Sequence, residues 1–125
     1  MNQVVLIGRL TKDPVVRYTT GQEPVAVARF SIAVERPIRT GSEKQADFPN
    51  IVVFGRQAEN CEQFLKKGRL VGISGRIQTG RYAKKEGDMV YITEVYADKV
   101  EFLDWENQQS EDNASSVEAV QERSF

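Results

Sequence analysis

Asp47 to Arg56 reads DFPNIVVFGR. As an extended segment it places Phe48, Asn50, Val52, Phe54 and Arg56 on one side and Ile51 and Val53 on the other, because successive side chains of a strand alternate between faces. Both sides carry apolar residues. A strand of a small domain that shows one face to water has only the other to bury. This segment is therefore either a central strand covered on both sides or a strand that shows aromatic rings to a ligand. A second stretch, Arg69 to Tyr82 (RLVGISGRIQTGRY), separates its two sides more clearly. Val71, Ile73 and Ile77 share one parity, and Ser74, Arg76, Gln78 and Tyr82 share the other. The pair of stretches predicts a curved sheet with its core on one side and a basic, aromatic surface on the other. Rings interleaved with cations suit unpaired bases and their phosphates.

The segments around these two supply the rest of a mainly β domain. Residues 2–10 (NQVVLIGRL) read as a short strand in which Gly8 marks a bulge or a close backbone approach. Thr11 to Pro14 reads as a turn, Val15 to Tyr18 as a short extended piece, and Thr19 to Gln22 as a second turn. In the strand Val25 to Glu35, Ala26, Ala28, Phe30, Ile32 and Val34 alternate with Arg29, Ser31 and Glu35, which predicts a core face. Arg36 to Ala46 (RPIRTGSEKQA) is a loop by composition. Its Arg36, Arg39 and Lys44 either close over a bound strand or simply keep an exposed loop soluble.

Beyond Arg56 the apolar period changes. Ala58, Cys61 and Leu65 fall at helical spacing within Gln57 to Lys67, Lys66 and Lys67 occupy the expected last turn, and Gly68 follows as a stop signal. Cys61 reads as a small buried hydrophobe of that helix. Gly68, Gly72, Gly75 and Gly80 recur at intervals that allow strands to coil tightly, as closure of a barrel requires. Ala83 to Asp88 forms a hairpin tip with Gly87 at the special backbone position, and Met89 to Leu103 is the last strand. The prediction is an all-β chain: a five-stranded Greek-key barrel of the OB type, with one short helix between strands 3 and 4. Residues 104–125 have few apolar side chains to bury and are expected to be a disordered tail.

Composition narrows the function. The chain has 125 residues, no histidine and one cysteine. The usual zinc, haem and histidine-assisted nucleophile arrangements therefore lack their parts, and neither an enzyme nor a bound metal or cofactor is expected. A lone cysteine excludes an internal disulfide framework, and no long apolar run is present, so a soluble protein of the reducing cytoplasm is expected, with no membrane role. The net charge of −1 conceals a segregation. Residues 1–103 hold 16 Lys and Arg against 12 Asp and Glu, net +4, whereas residues 104–125 hold one against six, net −5. A basic body favours polyanions, and an acidic tail either competes for the basic face or meets another protein.

The opening NQVVLIGRLTKDPVVRY, the segment VVFGRQAEN, the block LKKGRLVGISGRI and the run YITEV, in this order and spacing, resemble the bacterial single-stranded DNA-binding protein family. The resemblance spans residues 1–103. It implies an OB-fold domain over 1–103 followed by an acidic tail at 104–125, assembly into a homotetramer, and binding of single-stranded DNA with little sequence preference. The implied role is to coat and protect such DNA during replication, recombination and repair, close to the nucleoid. Family members use aromatics at the positions of Phe48, Phe54 and Tyr82 to stack on bases. A ring often found at the position of Ile38 is replaced here by an aliphatic side chain. Basic contacts of the family match Arg39, Arg56 and Arg81; Arg36, Arg76, Lys66 and Lys67 are assigned from charge and placement alone. Members that recruit replication and repair proteins end in an acidic run and Pro-Phe, and this chain ends ERSF. The alternative reading is a specialised paralogue serving competence, a phage or a plasmid, or a primosomal OB-fold adaptor that acts mainly through protein contacts.

Overall fold

The computed structural model describes residues 1–37, 41 and 43–103. The expected tail, and with it the expectation of disorder at 104–125, lies outside the described residues, as do Ile38 and Arg39. Seven strands and one helix follow in the order β1 (Val4–Leu10), β2 (Val15–Tyr18), β3 (Ala26–Glu35), β4 (Ala46–Asp47), β5 (Asn50–Phe54), α1 (Arg56–Phe64), β6 (Leu70–Ala83) and β7 (Met89–Phe102). Five of these, β1, β3, β5, β6 and β7, form the barrel. The sheet runs β1-β6-β7-β5-β3-β2, and pairing of Arg9 with Ala33 and Leu10 with Ile32 joins β1 to β3 and closes the ring. Every pairing is antiparallel except that of β5 with β7. With α1 between the third and fourth barrel strands, this is the OB arrangement. The two short extra strands, β2 and β4, both attach to β3.

The core is the inward half of each alternating strand. Ala26, Ala28, Phe30 and Ile32 of β3, Ile51 and Val53 of β5, Val71 and Ile73 of β6 and Val95 of β7 meet inside the barrel. Ala58 and Cys61 of α1, with Leu65 just beyond it, join the same cluster, so the helix buries one apolar stripe against the ring of strands. Two glycines permit the close crossings that closure needs. A Cβ on Gly8 would lie 2.4 Å from the Ala33 carbonyl oxygen, and one on Gly75 would lie 2.1 Å from that of Tyr96. Gly75 also sits at a register shift in the β6–β7 ladder.

Three sequence expectations change in detail. The strand expected to run from Asp47 to Arg56 is split: Pro49 has no N–H to give a ladder, and Gly55, at φ 75°, turns the chain so that Arg56 opens the helix. The helix then ends at Phe64, because Leu65 is already extended; Lys66 and Lys67 lie beyond it, and Gly68, at φ 91°, belongs to the turn into β6. Finally, Ile77 is exposed and not in the core. β6 pairs with β1 only as far as Gly75, so from Arg76 onwards β7 is its one strand partner among the described residues, and the two strands extend as a ribbon beyond the barrel. The Asn2 side chain brackets Ile77 at the root of that ribbon, donating to its carbonyl at 2.8 Å and accepting from its N–H at 2.9 Å.

Candidate nucleic-acid interface

Residues directly opposite one another across a ladder point to the same side of the sheet. The registers therefore align Arg29 of β3, Val52 of β5, Tyr96 of β7 and Arg76 of β6 as one row on the outside of the barrel. Phe54 follows two residues after Val52 and stands beside this row, with its ring 5.6 Å from that of Tyr96 at an interplanar angle of 38°. The Arg76 guanidinium lies over the Tyr96 ring, 5.7 Å from its centroid. Val52 is fully buried but is not part of the interior cluster. The outer side chains around it hide it from water, so β5 is covered on one side by the barrel core and on the other by a thin layer that still shows rings.

Phe54 retains 45 % of its surface in water, Phe48 62 % and Tyr82 53 %. Their exposure has local causes. Phe48 precedes Pro49 in the gap between β4 and β5 and lines an open groove of about 810 Å³ with Gly8, Arg9, Ala33, Lys44 and Leu70. Tyr82 lies near the end of the β6–β7 ribbon, on the same side as Arg76 and Gln78. Arg81 points to the other side of that ribbon and stands opposite Tyr91. The sheet thus gathers Phe54, Arg76 and Tyr82 on one continuous face, sets Phe48 at the mouth of a groove, and places Arg81 on the reverse of the ribbon.

The remaining cations differ in how they are held. Arg36 donates from Nε and Nη2 to one oxygen of Asp47, at 3.0 and 2.7 Å, and from Nη1 to Gln45 at 2.9 Å. The hydrogen bond and charge of Asp47 raise the Arg36 pKa, and the same hydrogen bond keeps the Asp47 carboxyl below its ordinary value. Both side chains are solvent-exposed, so the pair is a weak tether. Arg76 reaches Asp98 at 3.7 Å and Gln78 at 3.4 Å. Arg56 is exposed at the start of α1, beyond Gly55. Lys66 and Lys67 occupy the turn after α1, where the Lys67 backbone N–H donates to Asp13. Arg39 lies outside the described residues.

Tyr96 and Arg29 escape the sequence reading. Tyr96 sits in the long run Met89–Phe102, and its parity within that run is visible. Its partners are set by the parallel β5–β7 pairing, which no local pattern announces. The one cysteine does not reach this surface. Cys61 is fully buried in the core, and burial pushes its thiol pKa up to about 12. Among the described residues no group of three His, Cys, Asp or Glu side chains converges to hold a metal. The arrangement can hold flat apolar groups and anions together: rings open to water on one sheet face, with guanidinium groups beside and between them.

Comparison with known proteins bears on the same region. The sequence profile described as the Single-strand binding protein family matches residues 1–103. A protein named Single-stranded DNA-binding protein from Clostridium tetani is 52 % identical over 110 residues, covering 88 % of this chain and 75 % of the relative. Single-stranded DNA-binding protein 1 of Staphylococcus aureus is 48 % identical over 118 residues, covering 94 % of this chain and 73 % of its own. Single-stranded DNA-binding protein 2 of Clostridium acetobutylicum is 44 % identical over 124 residues, covering 98 % and 91 % respectively.

Proposed function

The chain belongs to the single-strand binding protein family, and from this premise we propose that it coats and protects single-stranded DNA, without regard to sequence, during replication, recombination and repair. The observation that carries the reading is the outer face of β5, where Phe54 keeps nearly half its surface in water beside Tyr96 and Arg76 although the strand is central to the barrel. A ring exposed alone would mean little, but Phe54 and Tyr96 together, with Arg76 over the latter, form an apolar patch edged by charge, of the kind that marks a binding surface. Each exposed ring offers a π-face that any base can cover. Stacking of this kind contributes about 1–3 kcal/mol per base, a magnitude measured on single-strand binders themselves. Phosphates meet Lys and Arg and release counterions, which adds salt-dependent affinity. Duplex DNA hides the faces of its bases, so the rings gain nothing from it, and selectivity for unpaired strands follows.

In this reading Phe48, Phe54 and Tyr82 are stacking residues, and Arg36, Arg39, Arg56, Arg76 and Arg81 contact phosphates. Residues 1–103 form the DNA-binding domain, and the acidic residues of 104–125 either compete with the strand for the basic face or meet another protein. Function is equilibrium binding and not catalysis. A homotetramer is the expected assembly; the family supports it, and Val5 and Ile7 on the open side of β1 provide exposed aliphatic surface for a subunit contact. Among the described residues no helix is long and apolar enough to cross a membrane, and a cytoplasmic, nucleoid-associated location fits a DNA-coating role. Titration with poly(dT) and with duplex DNA at two salt concentrations tests the proposal. Tight binding of the single strand that weakens with salt, and little binding of duplex, is expected. Weak binding of both would favour an adaptor acting through protein contacts.

A further inference from the structure

Resting on that reading, we propose that Tyr96 and Arg76 form an additional nucleotide seat beside Phe54: a base stacks on the Tyr96 ring while the Arg76 guanidinium moves from that ring to the adjoining phosphate. The seat follows from the strand registers. Val52 is opposite Tyr96 and Tyr96 is opposite Arg76, so these side chains emerge on the same outer face as Phe54. Tyr96 does not belong to the interior cluster, and its ring contacts are with Phe54 and Arg76. The two rings are 5.6 Å apart and inclined by 38°, so they do not stack on each other, and their faces can be covered separately. That separation exceeds the stacked spacing of about 3.4 Å along a DNA strand, so consecutive bases that unstack by roughly 2 Å can each take one ring.

What now covers Tyr96 is easily displaced. Arg76 is about half exposed, its carboxylate partner Asp98 is more exposed still, and their separation of 3.7 Å is long for an ion pair. Its contact with Gln78, at 3.4 Å, is at the limit of a hydrogen bond. Exposed ion pairs and exposed cation–π contacts are weak, whereas a guanidinium takes a phosphate with two parallel hydrogen bonds. Arg76 thus shields the ring in the free protein and exchanges that position for a phosphate when a strand arrives. Arg29, on the far side of Val52 in the same row, provides a second cation at the other margin of the platform.

Photo-crosslinking with oligothymidylate carrying 5-iodouracil, followed by peptide mapping of the intact chain, tests the seat. A crosslink at Tyr96 is expected. Tyr96→Val should weaken binding at high salt about fivefold to tenfold, and Tyr96→Phe should restore most of that loss, because the ring and not the hydroxyl is used. The loss should persist in a Phe54→Ala background; if it vanished there, Tyr96 would merely prop Phe54 and the proposal would fall. Crosslinks at Phe54 and Tyr82 with none at Tyr96 would overturn the seat and leave the general function standing. Failure of the unsubstituted chain to bind the strand at all would overturn both.

Discussion

Replacing Phe54 by alanine separates a ring that holds the fold together from a ring that waits for a base. Phe54 has already left 45 % of its surface in water, whereas Phe30, on the inward side of neighbouring β3, leaves 7 %. A phenylalanine that buried its whole ring would withdraw about 150–250 Å² from water. Roughly half of that, at about 25 cal/mol per Å², limits the stability cost of Phe54→Ala to roughly 2–3 kcal/mol. Truncation of a core phenylalanine costs about 3–5 kcal/mol. At about 4–8 °C per kcal/mol for a domain of this size, the Phe54→Ala variant melts lower but remains folded at 25 °C. Its affinity for oligothymidylate should nevertheless fall about 5- to 150-fold, the equivalent of one lost stack of about 1–3 kcal/mol. Fluorescence anisotropy across a salt series is the assay. The loss should persist at high salt, with the slope of log K against log salt unchanged, because stacking is not screened as phosphate contact is. Arg81→Ala should instead flatten the slope by about 0.7 and cost little at high salt. A Phe54→Ala variant with a strongly lowered melting temperature and unaltered affinity in its folded fraction would refute the reasoning, as would equal losses for the two variants at high salt.

Other consequences are as direct. Gly75→Ala forces a Cβ to within 2.1 Å of the Tyr96 carbonyl oxygen and 2.8 Å of the Ala97 Cα, both backbone atoms, and should destabilise by about 1–3 kcal/mol or more in chemical denaturation. Gly80→Ala meets nothing closer than 3.7 Å and should stay within about 0.5 kcal/mol of the parent. Asp47→Asn removes the charge that holds Arg36; it should tighten strand binding at low salt and steepen the salt slope by up to about 0.7, read from the same titration. Cys61 should resist iodoacetamide in the native protein and react once urea unfolds it. Because the fold favours the neutral thiol, the stabilisation it carries is whole below its ordinary pKa near 9 and declines as pH rises toward about 12, so Cys61→Ala should lessen the alkaline loss of stability in melts between those limits.

The barrel was legible because its strands are written in period 2. β3 alternates core and surface without interruption from Ala26 to Ile32, and α1 shows its stripe at Ala58, Cys61 and Leu65. The rings at Phe48, Phe54 and Tyr82 were legible as candidates through parity and family resemblance together. Legibility ended where partners are distant in sequence. Val52 reads only as sharing the Phe54 side, covered or open, and neighbours from β3 and β7 bury it; Ile77 reads as core, but it lies past the last β1 partner of β6. Tyr96 became visible as a candidate only through the parallel β5–β7 register. Arg36 reads as a free loop cation, and the return of the chain through β4 gives it Asp47.

The chain's six phenylalanines allow the central claim to be measured in one experiment. Biosynthetic incorporation of 4-fluorophenylalanine, with each resonance assigned by substitution, reports every such ring by fluorine NMR as a short oligothymidylate is added. The signals of Phe48 and Phe54 should shift while that of core Phe30 does not, and Phe64, exposed on α1 beside Phe102, should also stay in place. Signals of Phe48 and Phe54 that remain fixed at saturating strand, with Phe64 moving instead, would contradict that claim.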